Sequence, residues 1–293
     1  MLNISGFRLS KIVIIESLEP NEFKTGAHIR DEIRALENES PLGIEIELHL
    51  ISHADEFADL IRLLAADAVK TGRSPLLHVE CHGNRTDGLV FENSSVLSWQ
   101  DLSCLLTDLN VATRFNLVAL FAACYGAHFL LNIDNVGSAP FYGLIAPIDD
   151  IWPDELLGGF KIYYSTLFAT RNARLAAEAI QRMKLQNGQW HAHHSENWFW
   201  SIAVRYIETH CTNIEVKKNA LRMLQKFRSN GLNPKIGDIK RNLVKANREL
   251  VSKFFDKYFM VDRIPENIHR FSSIRTRIDQ RVLQLKKTGR YGI

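Results

Sequence analysis

The chain has 293 residues, of which 46% are hydrophobic and 24% are charged, and its formal net charge at pH 7 is +3. This composition is typical of a globular protein with a sizeable core, and a chain of this length is expected to form about two domains. No apolar run is long enough to span a bilayer, so we expect neither a membrane segment nor a secretion signal. The four cysteines show no C-x-x-C spacing, which argues against a disulfide framework and favours a reducing, cytoplasmic setting.

The first elements in chain order predict an α/β fold. Residues 11–17 and 43–50 have the apolar pattern of strands, and helical patterns occur at residues 27–36 and 54–70. Strands that alternate with helices indicate a mainly parallel sheet with helices on both faces. The polar segment at residues 19–22 has two open interpretations: it frames a cleft, or it only connects two elements.

Two further apolar runs each end at a glycine and present one reactive side chain. Residues 74–83 end in His82-Gly83, and residues 117–126 end in Cys124-Tyr125-Gly126. Sites in open α/β sheets lie outside the carboxyl ends of neighbouring strands. If these two strands are adjacent and parallel, His82 and Cys124 face one crevice despite their separation in the sequence.

A thiol beside an imidazole is the combination needed for nucleophilic attack on a peptide bond. His82 would take the proton of Cys124 and later give one to the leaving amine. The main-chain amides of Gly83 and Cys124 are candidate oxyanion donors, since a glycine lets substrate approach the backbone closely. The alternative is structural, because free cysteines are among the most buried residues and a strand-end histidine is often only hydrogen-bonded. Cys81 is expected to point to the opposite face of the strand, into the core.

The order of motifs from about residue 76 to residue 182 resembles that of the caspase-like cysteine peptidases (clan CD), and within them the bacterial CHAT-domain branch related to separase. The features that share this order are the His82-Gly83 strand end, a hairpin at 87–97, a helix opened by the capping pair Ser98 and Asp101, the Ala123-Cys124-Tyr125-Gly126 turn, a strand at 141–147, and helices around 160–167 and 172–179. The resemblance implies a catalytic dyad of Cys124 and His82, with the amides of Gly83 and Cys124 as the oxyanion hole.

One position departs from several of these relatives. Relatives that cut after Arg or Lys have an acidic residue two positions before the cysteine, where this chain has Ala122. In the separase-like branch an acidic residue after the next strand resembles Asp149 or Asp150, which implies that these residues bind a cationic substrate side chain. The other interpretation, that Asp149 and Asp150 cap the helix beginning near Pro153, stays open.

The net charge changes sign along the chain. Residues 1–189 contain 15 Lys and Arg against 24 Asp and Glu, whereas residues 190–293 contain 21 against 9. The later region lacks strand alternation and predicts helices at residues 216–227, 236–258 and 274–285. We therefore divide the chain into a peptidase domain at residues 1–189 and a basic α-helical extension at residues 190–293.

The basic helices have two candidate partners of different classes. Clustered cations could bind nucleic acid, or they could dock on an acidic protein surface and so control the peptidase. Docking is favoured because no recognised nucleic-acid motif appears. The plain alternative is that these side chains only solvate the helices. The cations concerned are Lys217, Lys218, Arg222, Lys226, Arg228, Lys240, Arg241, Lys245 and Arg248.

A histidine-rich segment lies at residues 190–200. His191, His193 and His194 precede Glu196, but their spacing matches no zinc motif. We therefore predict no metal site there, and we expect a loop-to-helix junction in which the tryptophans pack.

Together these patterns predict a cytoplasmic, caspase-like α/β cysteine endopeptidase without a cofactor. It would cleave a specific protein partner under the control of its helical extension. The resemblance places such a regulated protease in a bacterial defence or cell-death pathway. The alternative is a catalytically silent caspase-like scaffold or adaptor, whose basic helices bind a partner protein or nucleic acid.

Overall fold

The computed structural model describes residues 2–4, 7–132 and 137–292. The chain forms two compact units: unit 1 comprises Met1–Asp134 and Ala139–Ser195, and unit 2 comprises Asn135–Ser138 and Glu196–Ile293. The strands are β1 (Leu2–Ile4), β2 (Phe7–Leu9), β3 (Lys11–Ser17), β4 (Glu45–Leu50), β5 (Pro75–Asn84), β6 (Gly88–Val90), β7 (Val96–Ser98), β8 (Val118–Ala122), β9 (Gly143–Pro147) and β10 (Trp190–His194).

Helices follow most of these strands. In unit 1 they are α1 (Thr25–Glu39), α2 (Ala54–Thr71), α3 (Trp99–Ala112), a 3-10 helix (Gly126–Asn132), α4 (Pro153–Thr170) and α5 (Ala173–Gln181). The later helices are α6 (Ser195–His210), α7 (Asn213–Ser229), α8 (Ile236–Tyr258), α9 (Asn267–Arg270) and α10 (Ser272–Lys287).

The central sheet has the strand order β10-β9-β8-β5-β3-β4. All its neighbours pair in parallel except β10, which is antiparallel to β9 at one edge. The end of β5 pairs with β6, and β6 pairs with β7, which forms the expected hairpin. The prediction of an α/β fold with a mainly parallel sheet flanked by helices is confirmed.

The central strands lie inside the sheet because their sequences are largely apolar. Every residue of β3 and of β8 is buried, as is usual for parallel strands covered on both faces. Burial of one such aliphatic side chain contributes about 1.5–3 kcal/mol to stability. Side chains from β5 and β8 reach both faces: His78 contacts Phe160 of α4, whereas Phe121 contacts Phe129 of the 3-10 helix.

The predicted start of the helix after the hairpin is confirmed. The hydroxyl oxygen of Ser98, the N-cap of α3, accepts a hydrogen bond from the Asp101 amide at 3.1 Å and donates one to the Asp101 carboxylate at 2.6 Å. This side-chain cap satisfies a backbone donor that the helix cannot satisfy internally.

Unit 2 is helical and has two apolar clusters. In the first, the ring of Phe199 contacts Phe254, Phe255, Tyr258 and Phe259. Of these four side chains, Phe255, Tyr258 and Phe259 are buried. The second cluster joins α7 to α8 and consists of Ala220, Leu224 and Ile239, with Phe227, Ile236 and Leu243 at its margin.

Residues 190–200 differ from the expected loop-to-helix junction. Trp190–His194 forms β10, which pairs with β9 from Trp190 opposite Pro147 to His194 opposite Gly143, and α6 follows without a loop. The compact first unit therefore continues through Ser195, beyond the division expected at residue 189. The physical reason is that β10 hydrogen-bonds to the sheet edge. Within the described residues, no helix is both long and apolar enough to cross a bilayer.

Candidate active site

His82 and Cys124 lie at the carboxyl ends of adjacent parallel strands. β5 and β8 pair in register up to Glu80, which lies opposite Ala122. If the same register is continued by two positions along both segments, His82 corresponds to Cys124. The fold thus brings the two predicted residues to one edge of the sheet, where α/β folds place their sites.

Gly83 packs directly on the main chain of Cys124. A Cβ atom at Gly83 would overlap the carbonyl oxygen of Cys124 and would lie 3.3 Å from the Cβ of Ala123. Only a glycine permits this close approach. The absence of a side chain at Gly83 therefore sets the spacing between the His82 strand end and the Cys124 turn.

Cys124 lies in a sharp turn between β8 and the 3-10 helix. The amide of Gly126 donates to the carbonyl of Ala123 at 3.0 Å, and Tyr125 has a φ of 58°. A left-handed conformation is unfavourable for a tyrosine, and such strain is often found at functional sites. Gly126 is also confined, because its Cβ would lie 3.0 Å from that of Phe121. The turn presents Cys124 at the strand end in a fixed conformation.

The thiol of Cys124 is partly buried. Its Sγ lies 3.8 Å from the carbonyl oxygen of Ile151, to which it donates a hydrogen bond. Burial raises the pKa of the Cys124 thiol, the negative charge of Asp150 adds to the rise, and main-chain hydrogen bonds offset it only in part. The thiol is therefore protonated at neutral pH in this state and requires a base to become a nucleophile.

The imidazole of His82 is held by a carboxylate. Its Nε2 lies 2.9 Å from Oε1 and 3.1 Å from Oε2 of Glu22. A carboxylate only accepts, so Nε2 bears a proton, and in the neutral imidazole the free lone pair is then on Nδ1. Among the described residues, Nδ1 of His82 has no hydrogen bond. This tautomer is the one that a general base at Nδ1 requires.

Glu22 is itself held in place by its turn. Its amide donates to the carbonyl of Glu19 at 3.0 Å, and its carboxylate accepts the amide of Glu19 at 2.6 Å. The ammonium of Lys24 donates to the carbonyls of Leu18 and Glu19 at 2.8 and 2.6 Å. Of the two interpretations of residues 19–22, these contacts favour the one in which the segment frames the site. The sequence pattern indicated a polar turn but did not identify Glu22 as the partner of His82.

Asp149 and Asp150 follow β9 and contact residues that come just after the ends of β5 and β8. Oδ1 of Asp149 lies 3.8 Å from the guanidinium of Arg85, and the hydroxyl of Tyr125 donates to Oδ2 of Asp150 at 2.7 Å. The N-cap of α4 is Trp152, and neither aspartate side chain has a hydrogen bond to that helix among the described contacts. The described contacts therefore do not support the helix-capping interpretation of Asp149 and Asp150.

An open groove of about 580 Å³ lies between Phe23, in the segment after Glu22, and the first turns of α4. None of the four residues His82, Cys124, Asp149 and Asp150 lines it. Its lining residues are Phe23, Pro153, Asp154, Leu157, Gly158 and Lys161.

A buried polar network lies beneath the site. Nε2 of His78 lies 2.7 Å from Glu80 and its Nδ1 lies 2.9 Å from the hydroxyl of Tyr164, while Thr25 donates to Glu80 at 2.5 Å. Glu16 lies opposite Glu80 in the sheet and accepts the amide of Ala27 at 3.1 Å. The network ties the start of α1 to the strand that ends in His82. The apolar pattern of the sequence did not predict this buried network.

His191 and His193 face each other on one side of β10. Burial lowers the pKa of both, and that of His193 falls to about 4, so both rings are neutral at pH 7. Two nitrogen ligands are fewer than structural metal sites use. Within residues 2–4, 7–132 and 137–292, no group of three or more His, Cys, Asp or Glu side chains is placed to hold a metal ion.

Comparison with known proteins assigns no family. No protein-family profile matches the chain, and no curated protein matches it. Among solved structures, the chain has a likeness to Raptor from Chaetomium thermophilum, with a TM-score of 0.33 and 12% identity over 89% of this chain. The match spans 25% of the length of that Raptor chain. At this TM-score the likeness says nothing about fold or activity.

Proposed function

We propose that this chain is a caspase-like cysteine endopeptidase of the type found in the CHAT-domain and separase-related branch, and that it cleaves a specific protein partner. The main support is the position of His82 and Cys124 at the ends of the neighbouring strands β5 and β8, where the backbone of Gly83 packs closely against that of Cys124. A reduced setting such as the cytoplasm suits the thiol, and all four cysteines are free.

The reaction follows from the chemistry of the two side chains. Nδ1 of His82 takes the proton of the Cys124 thiol, and the thiolate sulfur forms a bond to the scissile carbonyl carbon. The amides of Gly83 and Cys124 are the proposed donors to the resulting oxyanion. When the C–N bond breaks, the imidazolium gives its proton to the leaving amine. Water, deprotonated by His82, then hydrolyses the thioester and releases the acid product.

Glu22 assists both proton transfers. Its carboxylate keeps the proton on Nε2 of His82 and stabilises the imidazolium that forms when Nδ1 takes a second proton. It acts on the substrate only through His82, so it is a positioning residue. Asp149 and Asp150 lie beside the Cys124 turn and are the proposed ligands of a cationic substrate side chain.

Active-site labelling tests the proposal. The protein is exposed to a peptidyl acyloxymethyl ketone with arginine beside the electrophile, and the modified cysteine is identified by intact-protein and peptide mass spectrometry. We expect Cys124 to react before Cys104, which is exposed and provides an internal reference. Replacement of His82 by alanine should slow the labelling of Cys124 about a hundred-fold, the usual contribution of a general base. Equal rates at both cysteines, or no dependence on His82, would refute the dyad.

A second surface supports control by a partner. On α7, Ile214 and Leu221 are 77% and 44% exposed. They border a shallow groove of about 470 Å³ together with Lys217, Lys218, Arg222 and Gln225. Exposed apolar side chains ringed by cations fit an acidic amphipathic protein segment better than a phosphate backbone, which would not use the apolar side chains. We therefore propose that an acidic protein segment binds here and regulates the peptidase.

Two probes separate this partner from nucleic acid. An acidic amphipathic peptide and a short single-stranded oligonucleotide are titrated into the full chain at rising salt. The peptide should bind the wild type and should bind Leu221→Ser and Arg222→Glu at least ten-fold more weakly, whereas Lys245→Glu on α8 should bind like the wild type. Preferential binding of the oligonucleotide, unaffected by Leu221→Ser, would favour the nucleic-acid alternative.

A further inference from the structure

A guanidinium group already lies at Asp149, one of the two aspartates proposed to bind substrate. Arg85 belongs to the turn between β5 and β6, three residues after His82. Its guanidinium lies 3.8 Å from Oδ1 of Asp149 and 5.2 Å from the ring centroid of Tyr125. A carboxylate combined with an aromatic face is a recognised environment for arginine.

The groups that contact Arg85 are held in place independently of it. The hydroxyl of Tyr125 donates to Asp150 at 2.7 Å, and the amide of Tyr125 lies 3.3 Å from the carbonyl oxygen of Asp149, to which it donates. A Cβ at Gly188 would lie 2.5 Å from Oδ2 of Asp149, so Gly188 borders this carboxylate closely. The environment would therefore remain if Arg85 moved away, and it could accept another cationic side chain.

The contact of Arg85 is weak enough to be exchanged. Its side chain is 62% exposed, that of Asp149 is 41% exposed, and their separation is near the limit for an ion pair. Such exposed pairs contribute about 0–1 kcal/mol. The short turn nevertheless keeps the guanidinium close to the aspartates, and tethering of this kind gives an internal group a high effective concentration. The amide of Thr86 donates to Oδ1 of Asn84 at 3.0 Å, which helps to order the turn.

We propose that Arg85 is an internal competitor: in the resting enzyme it occupies Asp149 and Tyr125, and a substrate must displace it to place its own cationic side chain there. This inference rests on the proposed function, because it concerns the same site. Arg85 then contributes to specificity, since the side chain of a substrate must compete with the tethered guanidinium for Asp149 and Tyr125.

Ligand binding tests the competition without any requirement for catalysis. N-acetyl-arginine amide is titrated into the full-length Cys124→Ser protein, and the backbone amide signal of Tyr125, which donates to Asp149, is followed by NMR. Arg85→Ala should lower the Kd for this ligand three- to ten-fold. Arg85→Lys should restore most of the competition, because it keeps the cation. Arg174→Ala is the matched control, since Arg174 is an exposed arginine paired with Glu178 on α5, and it should leave the Kd unchanged.

The matched neutral ligand, N-acetyl-norleucine amide, distinguishes competition from simple obstruction. Its Kd should change less than two-fold in Arg85→Ala. An equal gain for both ligands would overturn the proposal, because Arg85 would then act as a steric barrier. A Kd for the arginine ligand that rises or stays constant in Arg85→Ala would also overturn it. The proposed peptidase activity is judged separately, by the His82-dependent labelling of Cys124, so failure of one proposal does not imply failure of the other.

Discussion

Glu22 holds Nε2 of His82 at 2.9 Å, although Glu22 lies in the turn before α1 and His82 lies near the carboxyl end of β5. The contact leaves Nδ1 as the basic nitrogen, and it joins a polar turn to the strand end that precedes Gly83. In the proposed dyad, this contact orients the imidazole that is to serve as the base for Cys124.

The charge of Glu22 should matter more than its volume. Glu22→Gln retains an acceptor but cannot stabilise the imidazolium, so we expect the labelling of Cys124 by the peptidyl electrophile to slow about ten-fold, in line with a net value of 1.5 kcal/mol or more for a hydrogen bond to a charged group. Glu19→Gln, in the same turn but without a described side-chain contact to His82, should label at the wild-type rate. A Glu22→Gln protein as fast as the wild type would show that the contact does not assist the base.

Asp150 should control the ionisation of Cys124. Its negative charge contributes to the raised pKa of the thiol, so Asp150→Asn should lower that pKa. The rate of alkylation by iodoacetamide, measured against pH, should then have its inflection at lower pH than in the wild type. The inflection of Asp150→Asn should still lie above the ordinary range of a cysteine thiol, because burial is the larger cause of the raised pKa. Asp59→Asn on α2 is the control. An unchanged pH profile in Asp150→Asn would contradict the electrostatic coupling.

Gly83 should not tolerate a methyl group. Gly83→Ala places Cβ on the carbonyl oxygen of Cys124, and the overlap should cost about 1–3 kcal/mol of the free energy of unfolding and displace the Cys124 turn. Gly143→Ala in β9 is the matched control, since the nearest atom to its Cβ would be 3.7 Å away; its stability should change by less than 1 kcal/mol. Urea denaturation measures both. Equal stability of the two variants would be inconsistent with the described close approach.

Two carboxylates of the sheet, the buried Glu16 and the half-buried Glu47, should respond oppositely to pH. Burial, with a contribution from Glu80, raises the pKa of Glu16. Its ionisation is therefore less favourable in the folded state, and stability is lost as the pH rises from the unfolded value of about 4.5 through the folded pKa. Glu16→Gln avoids this loss, so its advantage over the wild type should grow from pH 4 to pH 7.

Glu47 provides the opposite case. Burial alone would raise its pKa, but hydrogen bonds and charges of His49 and Lys11 outweigh burial and lower it. Its ionised form stabilises the fold above the unfolded pKa, and this stability is lost as the pH falls through the folded pKa. Glu47→Gln should therefore be less stable than the wild type at pH 7, and the difference should shrink toward pH 3. Thermal unfolding measured from pH 3 to pH 7 checks Glu16→Gln and Glu47→Gln. If the stability of each variant followed that of the wild type in parallel over this pH range, the assigned directions of the two pKa shifts would be contradicted.

The sequence determined the elements and their order. Apolar runs in β3, β5 and β8 are long, continuous and bounded by glycines or polar turns, and such runs become buried parallel strands whatever their partners. The positions of His82 and Cys124 at strand ends follow from the same runs. The predicted bounds of β3 and α8 coincide with the structure, since each pattern stops sharply there.

Only the tertiary structure decided which side chains meet. Glu22, Arg85 and Tyr125 are separated by many residues, and polar turn residues have no periodicity that indicates their partners. Residues 190–194 joined the sheet because β9 offered an unpaired edge, which a local pattern rich in histidine and tryptophan does not predict. The burial and the secondary-structure propensity of a segment follow from its own residues. The contacts of a site depend instead on strand order and register, and these are set by the packing of the whole unit.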